Sequence, residues 1–442
     1  MENKAWIVTV DMGYGHQRAA YPLRELSPTG KVLIANNYAG IPRSDFRTWN
    51  NGRKTYEFFS RSTSWPLIGK FVFKMFDKVQ KIKPFYPRRD LSDPSLQVKQ
   101  VFSLIRRGFG RDLIEQINQK DIPLITTFFT TAFMAEEHKF RNEIYTVVCD
   151  SDINRAWVAL NPAKSRIKYL APCRRVVERL KEYGVKDQNI FLTGFPLPEE
   201  NIGSEFKTLK QDLAQRIENL DPAHRYRSKF GDTVKKFLGN GETTVQKRPL
   251  TLTFAVGGAG AQRSIAKSLL LGLKEKLIKE EINLNLIAGS RNDVFSYFKQ
   301  CIINSRLVKC YGKNLNIIFS PHKDDYFREF NEVLRHTDIV WTKPSEMVFY
   351  SALGLPIIIA PPLGSQEDFN RTWLKTIGAG ITQNDPRFTS EWIFDWVESG
   401  WLAEAAMAGF LDGRQFGVRN IKDVVFNGIA APDKDDNLLQ PF

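Results

Sequence analysis

Cysteine is scarce in this chain of 442 residues: Cys149, Cys173, Cys301 and Cys310 are scattered, with no C-x-x-C pair and no histidine at metal-ligand spacing. That excludes a disulfide framework and a structural zinc site, and it fits a reducing compartment. Long hydrophobic runs are missing as well. No stretch of 18 apolar residues occurs, so no segment is expected to span a bilayer as a helix. The run Ala5–Val10 is too short for a signal-peptide core and passes straight into a Gly-rich turn, so the expected location is cytoplasmic. No tandem repeat and no low-complexity tract interrupts the sequence. What is present is ordinary for a globular chain, 42% hydrophobic and 25% charged, which excludes global disorder. One domain per ~150 residues suggests two or three, and two large ones are the expectation.

Charge is unevenly spread. Lysine and arginine number 63 against 49 acidic residues, a net of +14. Between Arg47 and Arg89 stand 11 basic and 2 acidic residues, a net of +9, together with ten aromatics. Within Leu67–Lys83 the apolar residues Ile68, Phe71, Val72, Met75, Phe76, Val79 and Ile82 keep helical spacing, as do Lys70, Lys74, Lys78 and Lys81. Such a helix can lie in a lipid interface with its lysines on anionic headgroups; a helix half-buried on its own domain has the same pattern. Trp65 adds apolar surface beside it, so Trp65, Lys70, Phe71, Lys74 and Lys78 are the expected membrane contacts. No RNA-binding or helix-turn-helix signature accompanies the charge, and nucleic acid is not an expected partner.

Short apolar, β-branched runs alternate with helical patterns. Strands are predicted at Trp6–Val10, Lys31–Ala35, Leu124–Thr127, Ile144–Cys149, Lys168–Ala171 and Ile190–Thr193. A second series follows at Leu250–Val256, Leu284–Ala288, Ile317–Ser320, Ile339–Trp341 and Pro356–Ala360. This alternation predicts parallel α/β sheets. The expected division is a first domain over 1–198, a charged linker or insertion over 199–248, a second domain over 249–390, and C-terminal helices over 391–442 that pack back on the first domain.

Each half opens strand, glycine turn, helix: Asp11-Met12-Gly13-Tyr14-Gly15-His16 in the first, Gly257-Gly258-Ala259-Gly260 in the second. Glycine lets a ligand approach the backbone, and the first N–H groups of a helix favour an anion. The bland alternative is that these glycines merely permit a tight turn. A nicotinamide dinucleotide would need an acid at the end of each second strand, and the residues there are Asn36-Asn37 and Gly289-Ser290. His16, at the mouth of the first turn, suits a general base or charge stabiliser, or else caps its own helix. Asp150 and Asp152 end the fourth strand; they fit either a metal clamp or, for Asp150, a cleft-lining carboxylate. Glu346 and the pair Gln366-Glu367 follow two adjacent strands, where carboxylate and amide groups suit ribose and sugar hydroxyls.

Taken in order, these segments resemble the two-domain GT-B glycosyltransferases of the group that contains monogalactosyldiacylglycerol synthase, the processive diacylglycerol glucosyltransferases and the lipid II-forming N-acetylglucosaminyltransferase, as a divergent, family-28-like member. Met12-Gly13-Tyr14-Gly15-His16…Ala19-Ala20 looks like the group's N-terminal glycine–histidine loop. Val148-Cys149-Asp150…Asn154-Arg155-Ala156-Trp157 is similar to its "V-T-D…H-x-x-W" segment, and Thr193-Gly194-Phe195-Pro196 to its "T-G-I-P". Thr342-Lys343-Pro344, Gly354-Leu355-Pro356 and Gln366-Glu367…Asn370 look like "T-K-P-G-G…G-L-P…G-Q-E…N". The resemblance covers most of the chain outside 199–248.

It implies an α/β protein of two Rossmann-like, doubly wound parallel-sheet domains facing a central cleft. It also implies metal-independent hexosyl transfer from a UDP-sugar to a lipid-linked or other membrane-associated acceptor, with no cofactor, by a protein peripheral on the inner face of the membrane. On that reading His16 and Asp150 are catalytic. Gly257, Gly258, Gly260, Glu346, Gln366 and Glu367 bind the donor, and Gly13, Gly15 and Asn154 form the acceptor-side loop. The departures are Asn154 in place of a histidine, a shortened Pro344-Ser345-Glu346, and the 199–248 insertion. A sugar-nucleotide epimerase or hydrolase on the same fold would act on the UDP-sugar alone. A catalytically inactive nucleotide-sugar or membrane-surface binder is the alternative that Asn154 favours.

Overall fold

Trp6–Thr9, Leu33–Ile34, Leu124–Thr126, Ile144–Val147, Lys168–Ala171 and Ile190–Leu192 form strands β1 to β6 of a parallel sheet in the order β2-β1-β3-β4-β5-β6. Leu250–Ala255, Ile282–Gly289, Leu315–Phe319, Ile339–Thr342, Ile357–Ile359 and Gly380–Thr382 form β7 to β12 of a second parallel sheet, ordered β12-β11-β10-β7-β8-β9. The computed structural model describes residues 3–62, 82–239, 247–257, 260, 262–362 and 364–430. Central strands such as Ile144–Val147 and Leu250–Ala255 are buried along their whole length. Helices cover both faces of a parallel sheet, so its strands read as continuous apolar runs rather than alternating ones. The segment 63–81, with the expected membrane contacts Trp65, Lys70, Phe71, Lys74 and Lys78, lies outside the described residues, as does Gly258. Among the described residues no helix is long and apolar enough to cross a membrane.

Two compact units hold one sheet each. The first comprises Met1–Leu197, Leu363–Phe369 and Arg414–Phe442; the second comprises Pro198–Pro362 and Asn370–Gly413. This division corrects two expectations. Residues 199–248 are not a linker alone, because the helix Lys207–Leu220 is part of the second unit's core. Arg216 on that helix is 2% exposed and donates to the carbonyls of Thr337, Leu353 and Gly354 at 2.8, 2.9 and 3.2 Å. Burial lowers its pKa to about 10, still well above neutral, so it stays a cation. Asn219, a turn beyond Arg216, donates to the buried Asp338 carboxylate, which also takes a bidentate bond from Arg248.

The second correction concerns the C-terminal helices. Thr389–Glu398 and Trp401–Asp412 pack in the second unit, with the Trp392 ring 5.3 Å from that of Trp341 on β10. Trp396, Leu402 and Phe410 are buried there too, whereas Trp401 is exposed. From Arg414 the chain belongs to the first unit again. There a Cβ on Gly417 would stand 2.0 Å from the carbonyl oxygen of Phe195, so glycine alone permits the approach. Asn420 then donates to Thr193 O at 2.8 Å, fastening the last helix to the Thr-Gly-Phe-Pro segment.

Candidate functional site

In an open parallel sheet, ligands gather beyond the carboxyl ends of the strands where the strand order reverses. In the first sheet that point lies between β1 and β3. The turn after β1 is held by Asn36, whose side chain accepts from Asp11 N at 2.7 Å, and by Gln17, which donates to Asp11 Oδ1 and Gly13 O. Gly13 takes φ +93°, which a side chain would strain. The helix Tyr14–Ala20 follows, with Gly15 and His16 in its first turn. His16 Nδ1 lies 2.7 Å from Thr127 O, just past β3. A carbonyl oxygen only accepts, so Nδ1 carries the proton and the neutral ring keeps its lone pair on Nε2. The imidazole is thereby fixed in the tautomer a base needs, across the point of strand reversal.

Aromatic rings surround it. Phe128 meets the imidazole edge-on at 4.9 Å and Trp157 stands 6.0 Å away. Phe129 bridges the two, 4.6 Å from Phe128 and 5.3 Å from Trp157. Trp49 lies 6.1 Å from Phe128. Asp150, half-buried, lies beyond the end of β4, on the same edge of the sheet. Asp152 is differently employed. It is 1% exposed, and its two oxygens bind Arg179 at 2.8 and 3.0 Å and Arg175 at 2.9 Å. Both of its oxygens are taken by arginine, which leaves it unsuited to clamp a cation with Asp150, and among the described residues no cluster of three metal-ligating side chains occurs. Asn154 Oδ1 accepts from Ala156 N at 3.0 Å and caps the short 3-10 turn Arg155–Trp157, which sets Trp157 beside His16.

The corresponding point of the second sheet lies between β7 and β10. Gly257 follows β7, and Gly260 N donates to Gly257 O at 2.7 Å to close the turn. A Cβ on Gly257 would lie 2.4 Å from Cε and 3.2 Å from Nζ of Lys343, which follows β10. A Cβ on Gly260 would lie 3.7 Å from Nε of Arg291, which follows β8. The three parallel neighbours β10, β7 and β8 thus bring two cations to one glycine turn. Asp293 orients Arg291 through bonds of 3.0 and 3.1 Å, and these bonds hold its own carboxyl below the usual range. Gln262 donates to Pro361 O and ties the turn to the segment after β11. Glu346 is 6% exposed at the start of the 3-10 helix Glu346–Leu353, three residues past Lys343.

Gln366 and Glu367 occupy the first turn of the helix Ser365–Thr376. At its start Ser365 Oγ accepts from Ile82 N at 3.3 Å, and Arg175 reaches the Phe369 ring at 6.0 Å. Lys343 and Arg291 are not assigned a role by the sequence. Lys343 sits inside the Thr-Lys-Pro motif, and Arg291 stands just where an acid is looked for and absent. Burial pushes the Cys173 thiol up to about 12 and raises those of Cys301 and Cys310, so none of these three is a ready nucleophile.

No family model matches the chain. It is 21% identical over 325 residues to a processive diacylglycerol beta-glucosyltransferase of Bacillus subtilis (strain 168), covering 72% of each protein. It is 22% identical over 392 residues to a protein of the same name from Bacillus pumilus (strain SAFR-032), covering 86% of this chain and 83% of that one. A crystal structure from Listeria monocytogenes, provisionally named UDP-N-acetylglucosamine 2-epimerase, has a TM-score of 0.50 at 12% identity, over 97% of this chain and 99% of that one. Its two parallel Rossmann-like sheets give the chain a GT-B-type α/β fold, and its sequence is similar, at 21–22% identity, to the processive diacylglycerol beta-glucosyltransferases.

Proposed function

We propose that this chain transfers a hexose from a UDP-sugar to a lipid-linked or other membrane-associated acceptor. The observation that carries the reading is the pair of cations, Lys343 and Arg291, at the Gly257–Gly260 turn across three adjacent strand ends. Positive groups and close backbone approach both favour a diphosphate, and such a turn supplies both. In this scheme the two cations neutralise the leaving diphosphate without a metal ion, since Asp152 is already committed to arginine. Glu346 binds donor hydroxyls, with Gln366 and Glu367 contributing from the helix after β11. His16 takes the acceptor's proton, assisted by Asp150. The lipid acceptor is supported by the names of the two Bacillus relatives and by the net +9 of residues 47–89, which favours a peripheral position on an anionic cytoplasmic surface.

Thermal unfolding with UDP and a panel of UDP-sugars tests the donor half. A ligand at 100 times its dissociation constant stabilises by ~2.7 kcal/mol. Lys343→Met removes a charge-assisted bond worth about 1.5–3 kcal/mol, so affinity falls roughly 10- to 100-fold and the stabilisation at the same ligand concentration drops to between ~1.4 and ~0.4 kcal/mol. A full shift in that variant, or an equal shift with ADP in the native chain, counts against the assignment.

A further inference from the structure

A base that deprotonates an alcohol will deprotonate water as readily, and UDP-sugars hydrolyse when water reaches the reacting carbon. Around His16 the first unit carries a surface suited to this problem. Trp157 and Trp49 are buried, at 2% and 7% exposure, and form a fixed apolar floor. Phe128 and Phe129 rise from it immediately after Thr127, the residue that fixes the imidazole, and both are only half-buried. Half of the aromatic cluster around the imidazole is therefore finished and half is open. The residues come from three separate elements: the β3 end, the helix Arg43–Ser62, and the 3-10 turn that Asn154 caps.

We infer that Phe128 and Phe129 are specificity-determining residues that make sugar transfer depend on an acceptor with an apolar body next to its hydroxyl. The inference rests on the transferase reading above. The apolar part of the acceptor completes the aromatic ring, excludes water from His16, and presents its own hydroxyl as the one group the base can reach. His16 Nε2 then takes the hydroxyl proton, and the acceptor oxygen bonds to the anomeric carbon. The bond from that carbon to the diphosphate oxygen breaks, with the electron pair leaving on UDP. If water stands in the acceptor's place, the same exchange gives free sugar, UDP and the proton on His16. The partition between these outcomes is set by how dry the imidazole is, and drying strengthens each electrostatic contact at the reacting centre as well.

The test measures two products in one assay: labelled sugar in the lipid phase and free labelled sugar in water, using the full chain, a UDP-hexose and vesicles containing diacylglycerol. In the native chain, vesicles should suppress free-sugar release while lipid product accumulates. Phe128→Ser and Phe129→Ser should raise the ratio of hydrolysis to transfer by about tenfold or more, a barrier change of about 1.4 kcal/mol. Phe128→Leu keeps the apolar surface and should retain most of the native ratio, and it serves if the serine variant does not fold. A merely structural role lowers both products together and leaves the ratio unchanged, which overturns the inference. Native chain that glycosylates a water-soluble alcohol as well as the lipid overturns it too. Absence of both products in the native chain refutes the transferase reading itself.

Discussion

His16→Ala should lower the turnover of sugar transfer roughly 10²–10⁴-fold, the range by which a positioned general base accelerates proton transfer. The ground for so large an effect is the fixed tautomer: Thr127 O holds Nδ1–H at 2.7 Å, so Nε2 is the basic nitrogen of the neutral ring. Because His16 belongs to the first unit and the cation-lined turn to the second, UDP should still stabilise the variant against heat. His16→Asn separates base from anchor, because the asparagine Nδ2 stands where the ring's Nδ1 does. Its amide N–H can replace the bond to Thr127 O but cannot accept a proton at neutral pH, so it should keep the native melting temperature and share the alanine variant's loss of rate. A loss of less than fivefold in both variants would reduce His16 to a cap on its own helix.

The second large effect is on stability. Arg216→Met should destabilise the second unit by about 4 kcal/mol, because a buried acceptor left without its donor costs about 1–3 kcal/mol and three carbonyls lose theirs at once. Methionine replaces the aliphatic volume but none of the bonds to Thr337, Leu353 and Gly354. These carbonyls lie at the amino end of β10 and in the turn before β11, away from the glycine turn. The variant should therefore unfold earlier in urea while its surviving folded fraction binds UDP with native affinity. Equal stability of the two proteins would show that the 199–248 segment is dispensable to the core.

Arg216 also illustrates what the sequence conceals. Lys207–Asn219 has helical spacing, yet its surroundings are charged, and charge in a sequence signals solvent or a linker. Whether an arginine is buried depends on the three carbonyls that meet it from residues more than 100 positions away. The strands were more legible, since a strand covered on both faces is a run of Ile, Leu and Val. The exception is β12, Gly380–Thr382, a short edge strand that starts on glycine and is only half-buried, so it offers no such run.

The site divides in the same way. Gly13, His16, Gly257 and Gly260 stand out because strand–glycine–helix is a local pattern. Lys343 and Arg291 do not, because they converge only through the order β10-β7-β8, which no local stretch encodes. Phe128 is similar: it becomes a neighbour of His16 because β3 lies next to β1, and Phe129 packs on Phe128. Asp150-Ser151-Asp152 misleads in the opposite sense, since two nearby carboxylates suggest a metal clamp until Arg175 and Arg179 are seen to occupy the second.

The central claim is that a sugar moves from a nucleotide to a lipid. Purified chain should be incubated with UDP-[14C]glucose, UDP-[14C]galactose or UDP-[14C]N-acetylglucosamine and vesicles of anionic phospholipid with diacylglycerol, and the organic phase counted after extraction. Lipid-phase label is expected from at least one donor, formed with release of one UDP per sugar and abolished by His16→Ala. Label that stays wholly in water, as free sugar or as an isomerised UDP-sugar, would contradict it.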